Sequence, residues 1–411
     1  MMVESLKNFN VQELVTKTTK IVEENPIAVG ASTVMTLLAG VLVYRRKELT
    51  RDGKDFDSGV SGSLRILNNT DHTLNGSEFN ASIADYENMF AGARKKTGAI
   101  TSEESVEVRR ERYAAMINHF YNLVTDFYEW GWCQSFHFGP RWHNETFIES
   151  IKRAEYYLCL RLGLIKGIKA LDVGCGIGGP MRNMAIFTGA EFEGITINQY
   201  QVNVGNKYNA ANGLDDRCKL ICGDFQNLPF PDNYFDRAYA IEATCQPPDR
   251  VKVFSGVART LKPGGLFAIY DWVMLEGKYD PKNKDHVRVK EGIEVGNGLP
   301  TLALPSEIIA AFEASGFEVV DHFDLNRNVH ASNEIPWYDT LAGKMSLSGF
   351  RMTHIGRMCT HSLVWTLETL RIAPAGSTRV SALLNATALD LVEGGELEIF
   401  TPSYFFLARK K

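Results

Sequence analysis

Over residues 171–272, short apolar runs alternate with segments whose apolar positions recur at helical spacing. Residues 171–173, 192–197, 220–224, 235–241 and 266–272 read as strands, and residues 180–187 and 200–211 as helices between them. Strands that alternate with helices build a parallel, doubly wound α/β sheet with its ligand at the carboxyl ends of the strands. Residues 317–323 and 403–407 supply two further strand candidates. Upstream, Val108, Tyr113, Met116, Ile117, Phe120 and Val124 recur three or four residues apart, which predicts a helix over residues 102–126. Late in the chain, residues 335–391 carry spaced methionines and aromatic rings, among them Trp337, Met345, Phe350, Met352 and Trp365. Such residues form core, a greasy cleft, or both.

The amino end follows another pattern. Residues 26–44 are nineteen positions without a charge, followed at once by Arg45, Arg46 and Lys47. At about 1.5 Å per residue they reach roughly 28 Å, close to the thickness of a bilayer's hydrocarbon core. The stretch predicts a single-pass transmembrane helix, with a buried helix as the alternative that Gly30, Gly40, Ser32, Thr33 and Thr36 would favour. The basic cluster places the rest of the chain on the cytosolic side and residues 1–25 on the other. Residues 45–100 are polar and without sustained period, a linker or irregular arm.

Composition narrows the function. Of the 411 residues 45% are hydrophobic and 23% charged, as in a folded globular protein. A net charge of −5 without a long basic run argues against nucleic acid as a partner. The seven cysteines lack paired metal-ligand spacing, which suits reduced thiols and no metal site. Assembly as a homo-oligomer stays open.

The candidate chemistry centres on residues 171–179, Leu-Asp-Val-Gly-Cys-Gly-Ile-Gly-Gly. Apolar residues run into Asp172, and Gly174, Gly176 and Gly178 then let backbone approach a ligand closely. The same letters fit the weak dinucleotide fingerprint G-x-G-x-x-G. An acid two places before the first glycine, however, repels a pyrophosphate and receives the ammonium of a bound amino acid. With the turn Leu261-Lys-Pro-Gly-Gly265 entering a strand, the chain resembles enzymes that use S-adenosylmethionine (AdoMet). The resemblance implies a Rossmann-like class I methyltransferase fold, with Asp224 and its neighbour Phe225 at the adenine. The second strand of such enzymes usually ends in an acid that holds the ribose. Here residues 194–201 contain no carboxylate, and Thr196 and Gln201 are the polar substitutes.

Before this domain stands Tyr128-Glu-Trp-Gly-Trp-Cys-Gln-Ser-Phe-His-Phe138, and within it Ile241-Glu-Ala-Thr-Cys-Gln-Pro-Pro-Asp249. With the segment 272–300, these motifs closely resemble the sterol 24-C-methyltransferases, a match that runs from about residue 113 to the C-terminus. The resemblance divides the chain into a methyltransferase domain over residues 101–330 and a C-terminal sterol-binding extension over residues 331–411. It implies methyl transfer to the Δ24 double bond of a sterol such as cycloartenol, zymosterol or a 24-methylene sterol, at the endoplasmic reticulum membrane. A positive charge forms at C25, a hydride moves from C24, and a proton is lost. Tyr128, Trp130, Trp132, Phe136 and Phe138 then supply π faces to the cation. Glu242, Glu129 and His137 are candidates for the base, with Glu242 first because it ends a strand. The chain departs from the family pattern at Gln246-Pro247, Asp271 and Asn297. Rivals are a cyclopropane synthase, a tocopherol or phosphobase methyltransferase, and a non-catalytic scaffold.

Overall fold

The computed structural model describes residue 107 and residues 110–326, 333–343, 352–371, 373 and 375–411. The expected transmembrane helix at residues 26–44, the arm at 45–100, and Met345 and Phe350 lie outside the described residues. Among the described residues no helix is long and apolar enough to cross a membrane.

Helix α1 (Tyr113–Trp132) leads into a short strand β1 (Arg141–Trp142) and helix α2 (Phe147–Leu162). Thr146 and Glu149 begin α2 with reciprocal side-chain bonds to each other's backbone N–H groups, and Gly163 closes it in the left-handed region. Then follow β2 (Lys169–Val173), α3 (Gly179–Thr188), β3 (Glu191–Thr196), α4 (Gln199–Ala211) and β4 (Cys218–Cys222). Next come β5 (Phe235–Ile241), α5 (Arg250–Thr260) and β6 (Leu261–Met274). The remainder is α6 (Lys284–Asn297), α7 (Pro305–Ala314), β7 (Phe317–Asp324), β8 (Glu334–Ile335), α8 (Asp339–Ala342), α9 (His354–Thr369), α10 (Ser377–Glu396) and β9 (Phe400–Lys410).

The main sheet runs β4-β3-β2-β5-β6-β9-β7. The chain winds outward from β2 through β3 to β4, then returns to place β5 beside β2. That reversal is the switch point at which such sheets bind ligands. Successive residues of one strand belong to opposite cores: Leu171 and Val173 pack below the sheet with Phe267 and Ile269, while Ala170 packs above it with Ala268 and Tyr270. Burial on both faces explains why these strands read as continuous apolar runs.

Three expectations change. The sheet is not wholly parallel, because β9 inserts between β6 and β7 and runs antiparallel to both. Asp224 does not end a strand: β4 stops at Cys222, and Asp224 caps the single 3₁₀ turn Phe225–Asn227 through Gln226 N. Helix α1 also continues past residue 126 to Trp132, so the aromatic motif begins on a helix.

The C-terminal region packs around α10, which meets α6, α8 and α9. At its crossing with α6 there is no room for side chains. A Cβ at Gly296 would lie 1.9 Å from Thr387 Oγ1, and one at Gly292 would lie 2.2 Å from Asp390 Oδ2. A third apolar cluster, with Phe138, Trp272, Trp337, Leu391 and Phe400, joins these helices to the sheet.

Candidate active site

Two cavities open at the carboxyl ends of the central strands. The first holds about 760 Å³ and is lined by Asp172, Gly174, Gly176, Thr196, Gln201 and Phe225, all expected at the cofactor. One stripe of α1, formed by Tyr113, Ile117, Tyr121 and Tyr128, covers it. Gly174 has φ +87°, and a Cβ there would lie 2.4 Å from that of Ala243. Gly178, also left-handed at φ +75°, is the N-cap of α3 just beyond this lining.

Asp172 is buried, and one of its oxygens accepts the Tyr239 hydroxyl at 2.6 Å. Its Oδ1 has no hydrogen bond among the described residues. Burial pushes its carboxyl up to about 7, which the Tyr239 bond only partly opposes. A buried acid of this kind fits a cationic ligand group, such as the ammonium of AdoMet. Where the ribose would lie, Thr196 Oγ1 donates to Gln201 Oε1 at 2.7 Å, and Gln201 Nε2 donates to Thr125 Oγ1 at 3.2 Å. Both side chains are buried, so strand and helix hold a polar pair in place of the missing carboxylate. Asp224 sits behind the wall, accepting the Tyr113 hydroxyl at 2.9 Å, and Phe225 takes its place on the surface.

The second cavity encloses about 950 Å³ of empty space, part of it open to solvent. Apolar and aromatic residues of α1, β6, α8 and α10 line it, including Trp132, Trp272, Leu341 and Leu391, together with Phe138 from the segment after α1. Its rings run in contact. Tyr128 lies 5.8 Å from Trp132 and 5.8 Å from Phe136, and Trp132 lies 5.8 Å from Phe138. Phe138 in turn meets Trp272 at 6.0 Å and Trp337 at 5.4 Å. Tyr128, Phe136, His137 and Glu242 line both cavities and form the wall between them.

Glu242 is the centre of that wall. Its backbone is left-handed at φ +54°, a conformation that costs a non-glycine residue about 1–3 kcal/mol. Three bonds hold it there. Its N–H donates to Tyr270 O at 2.7 Å, its Oε1 accepts Phe138 N–H at 2.6 Å, and its Oε2 accepts the Trp272 indole N–H at 2.8 Å. Burial pushes the carboxyl up to about 7, against the pull of His137 and the two donors.

The other candidate bases stand differently. His137 Nδ1 faces Phe138 O at 2.6 Å, and its Nε2 faces Glu155 Oε1 at 3.2 Å. Burial alone would lower its pKa, but the hydrogen bond and charge of Glu155 raise it overall. Acceptors facing both nitrogens favour the doubly protonated ring, a form with no lone pair to take another proton. Glu129 lines neither cavity. It is buried on another face of α1, where it accepts the Tyr208 hydroxyl, and Arg182 lies over the Tyr208 ring at 5.3 Å. Trp130 belongs to α1, and its side chain lies outside the described residues.

Of the departures from the family pattern, Gln246 lines the first cavity and Asn297 the second, whereas Asp271 lines neither. Asp271 is buried and accepts the Thr244 hydroxyl at 2.7 Å. Tyr121, Arg357 and Asn385 line these cavities and were not foreseen as site residues. For Tyr121 a signal existed, since it continues the stripe of Tyr113 and Ile117 at four-residue spacing.

The chain matches a family model described as a methyltransferase domain over residues 171–269, and another described as the sterol methyltransferase C-terminal region over residues 347–411. It is 47% identical over 305 residues to the cycloartenol-C-24-methyltransferase of Arabidopsis thaliana, covering 74% of this chain and 89% of that protein. It is 40% identical to the sterol 24-C-methyltransferase of Yarrowia lipolytica, covering 80% of this chain and 88% of the relative. Among solved structures it resembles the geranyl diphosphate C-methyltransferase of Streptomyces coelicolor at a TM-score of 0.51 and 16% identity, over 72% of this chain and 97% of that one. At that identity the likeness speaks for the fold. The glycine loop, the buried acid and the matched domain make this an AdoMet-dependent methyltransferase, and the chain belongs to the sterol 24-C-methyltransferase family.

Proposed function

We propose that this chain methylates C24 of a Δ24-sterol side chain. The wall of Tyr128, Phe136, His137 and Glu242 between a cofactor cavity and a larger apolar cavity is the observation that carries this reading. When bound, AdoMet supplies an electrophilic methyl group. Asp172 holds its ammonium, Thr196 and Gln201 face its ribose, and Phe225 with Asp224 behind it bounds the adenine. The alkene lies against Tyr128, Trp132 and Phe136, which exclude water and present π faces as positive charge develops at C25. Each such contact is worth about 0.5–2 kcal/mol when desolvated, and it offers the cation no lone pair to capture. After hydride moves from C24, the Glu242 carboxylate takes the proton that restores a neutral product. Its two donors, Phe138 N–H and the Trp272 indole, hold it away from bond formation with carbon.

The test is incubation of the purified full chain with labelled AdoMet and a panel of Δ24-sterols and 24-methylene sterols. Label in a 24-methyl or 24-methylene sterol supports the reading, and label only in a phenol or an amine overturns it. Residues 26–44 serve in this reading as a single-pass anchor in the endoplasmic reticulum, with the catalytic domain in the cytosol. Alkaline carbonate should leave the protein in the membrane pellet, and its release intact would count against the anchor.

A further inference from the structure

Arg357 is an unusual residue for the larger cavity. It lies on α9, is half-buried, and lines the same apolar space as Trp132 and Leu391. Its Nε donates to Met352 O at 2.9 Å, its Nη1 to Asn385 O at 3.2 Å, and its Nη2 to Leu341 O. All three partners are neutral carbonyls. Burial lowers its pKa, and among the described residues no carboxylate, Glu242 included, stands near enough to raise it. A guanidinium has five N–H groups, and two remain after these bonds. Beside it in the lining are the Asn385 carboxamide, which forms no side-chain hydrogen bond among the described residues, and Thr360, whose hydroxyl donates to Gly356 O at 3.0 Å.

A sterol carries its reactive double bond and its ring-A oxygen at opposite ends. The double bond must reach the shared wall beside Glu242, so ring A points into the part of the cavity that the cofactor does not share. Arg357, Asn385 and Thr360 line only that part. We propose that Arg357 and Asn385 form a subsite for the 3-hydroxyl of the sterol, Arg357 donating to the oxygen and the Asn385 carbonyl accepting its proton. A half-buried polar pair that a bound sterol covers rejects a ligand that leaves it unpaired more strongly than an apolar pocket rejects an extra polar group. The subsite therefore makes Arg357 a specificity-determining residue, selecting free sterols over analogues without the oxygen.

This rests on the sterol reading above, and the experiment separates the two. Steady-state kcat/KM is measured for a Δ24-sterol and its 3-deoxy analogue with the full-length wild type, Arg357→Met and Asn385→Leu. The wild type should favour the hydroxylated substrate by about 10- to 100-fold, the range for a hydrogen bond to a charged group. Arg357→Met should bring the hydroxylated substrate down to the level of the analogue, within about threefold, and leave the analogue's value unchanged. Asn385→Leu keeps the backbone carbonyl that braces Arg357, so it reports on the subsite even if Arg357→Met fails to fold; it should lower only the hydroxylated substrate. Equal loss on both substrates in either variant would make these residues structural braces and overturn the proposal. Equal wild-type rates on both substrates would overturn it while leaving sterol methylation intact. No methylation of either sterol would overturn both.

Discussion

Two neighbouring residues of one motif have opposite roles because helical phase separates them. Tyr128 and Trp132 are four apart on α1 and share a face, whereas Glu129 is turned by about 100° and points at α4. Sequence spacing could have excluded Glu129 once α1 was known to continue to Trp132, but the predicted helix ended at residue 126. Glu242 was legible because it ends a strand at the switch point, and its donors, brought from residues 138 and 272, were not. Replacing Glu242 with glutamine should lower kcat by about 10²- to 10⁴-fold while AdoMet binding, measured by calorimetry, persists. A base must be ionised, and the folded pKa of Glu242 lies near 7. Turnover should therefore fall as pH drops through about 7, and a pH–kcat profile flat from 5.5 to 8 would remove Glu242 from the step. Trp132→Leu should keep AdoMet affinity and lower kcat by about 3- to 30-fold, because the ring's charge stabilisation arises only as the cation forms. Weaker AdoMet binding with unchanged turnover would make the ring structural.

Among elements, the strands from β2 to β6 were readable because each contains a short, largely apolar run, and β2 and β3 lead into segments of helical spacing. The antiparallel insertion of β9 was not, since local pattern does not encode which neighbour a strand takes. The C-terminal helices were legible as greasy segments only. Their roles depend on contacts between residues far apart in sequence, as when Arg357 bridges carbonyls at 341, 352 and 385. The crossing of α6 and α10 yields a test at this scale. Gly296→Ala puts a methyl group against Thr387 and should cost about 1–3 kcal/mol through overpacking. Thermal unfolding should record a lower midpoint, and the double variant with Thr387→Ala should recover part of it. An unchanged midpoint in the single variant would mean the crossing relaxes freely.

For the molecule as a whole, function has been placed at the expense of stability. Asp172 has a folded pKa near 7, well above the value of about 3.9 expected for an unfolded chain. Its raised pKa means the folded state holds the proton more tightly. The associated stability is full below about pH 4 and is lost as pH rises towards 7. Asp172→Asn, which keeps an acceptor for Tyr239, should therefore match the ligand-free wild type near pH 4 and exceed its stability by about 1–3 kcal/mol at pH 7.5. Denaturant titrations at the two pH values check this, and a pH-independent difference would refute it. AdoMet should narrow the gap, because an ammonium beside Asp172 restores the ionised form's advantage.

The partition between the two chambers also has a thermodynamic consequence. Four side chains belong to both linings, so neither ligand can settle without setting the other's surroundings. Occupancy of one chamber must then alter affinity in the other, and reciprocity requires the same factor in both directions. Donor and acceptor thus become mutually dependent guests.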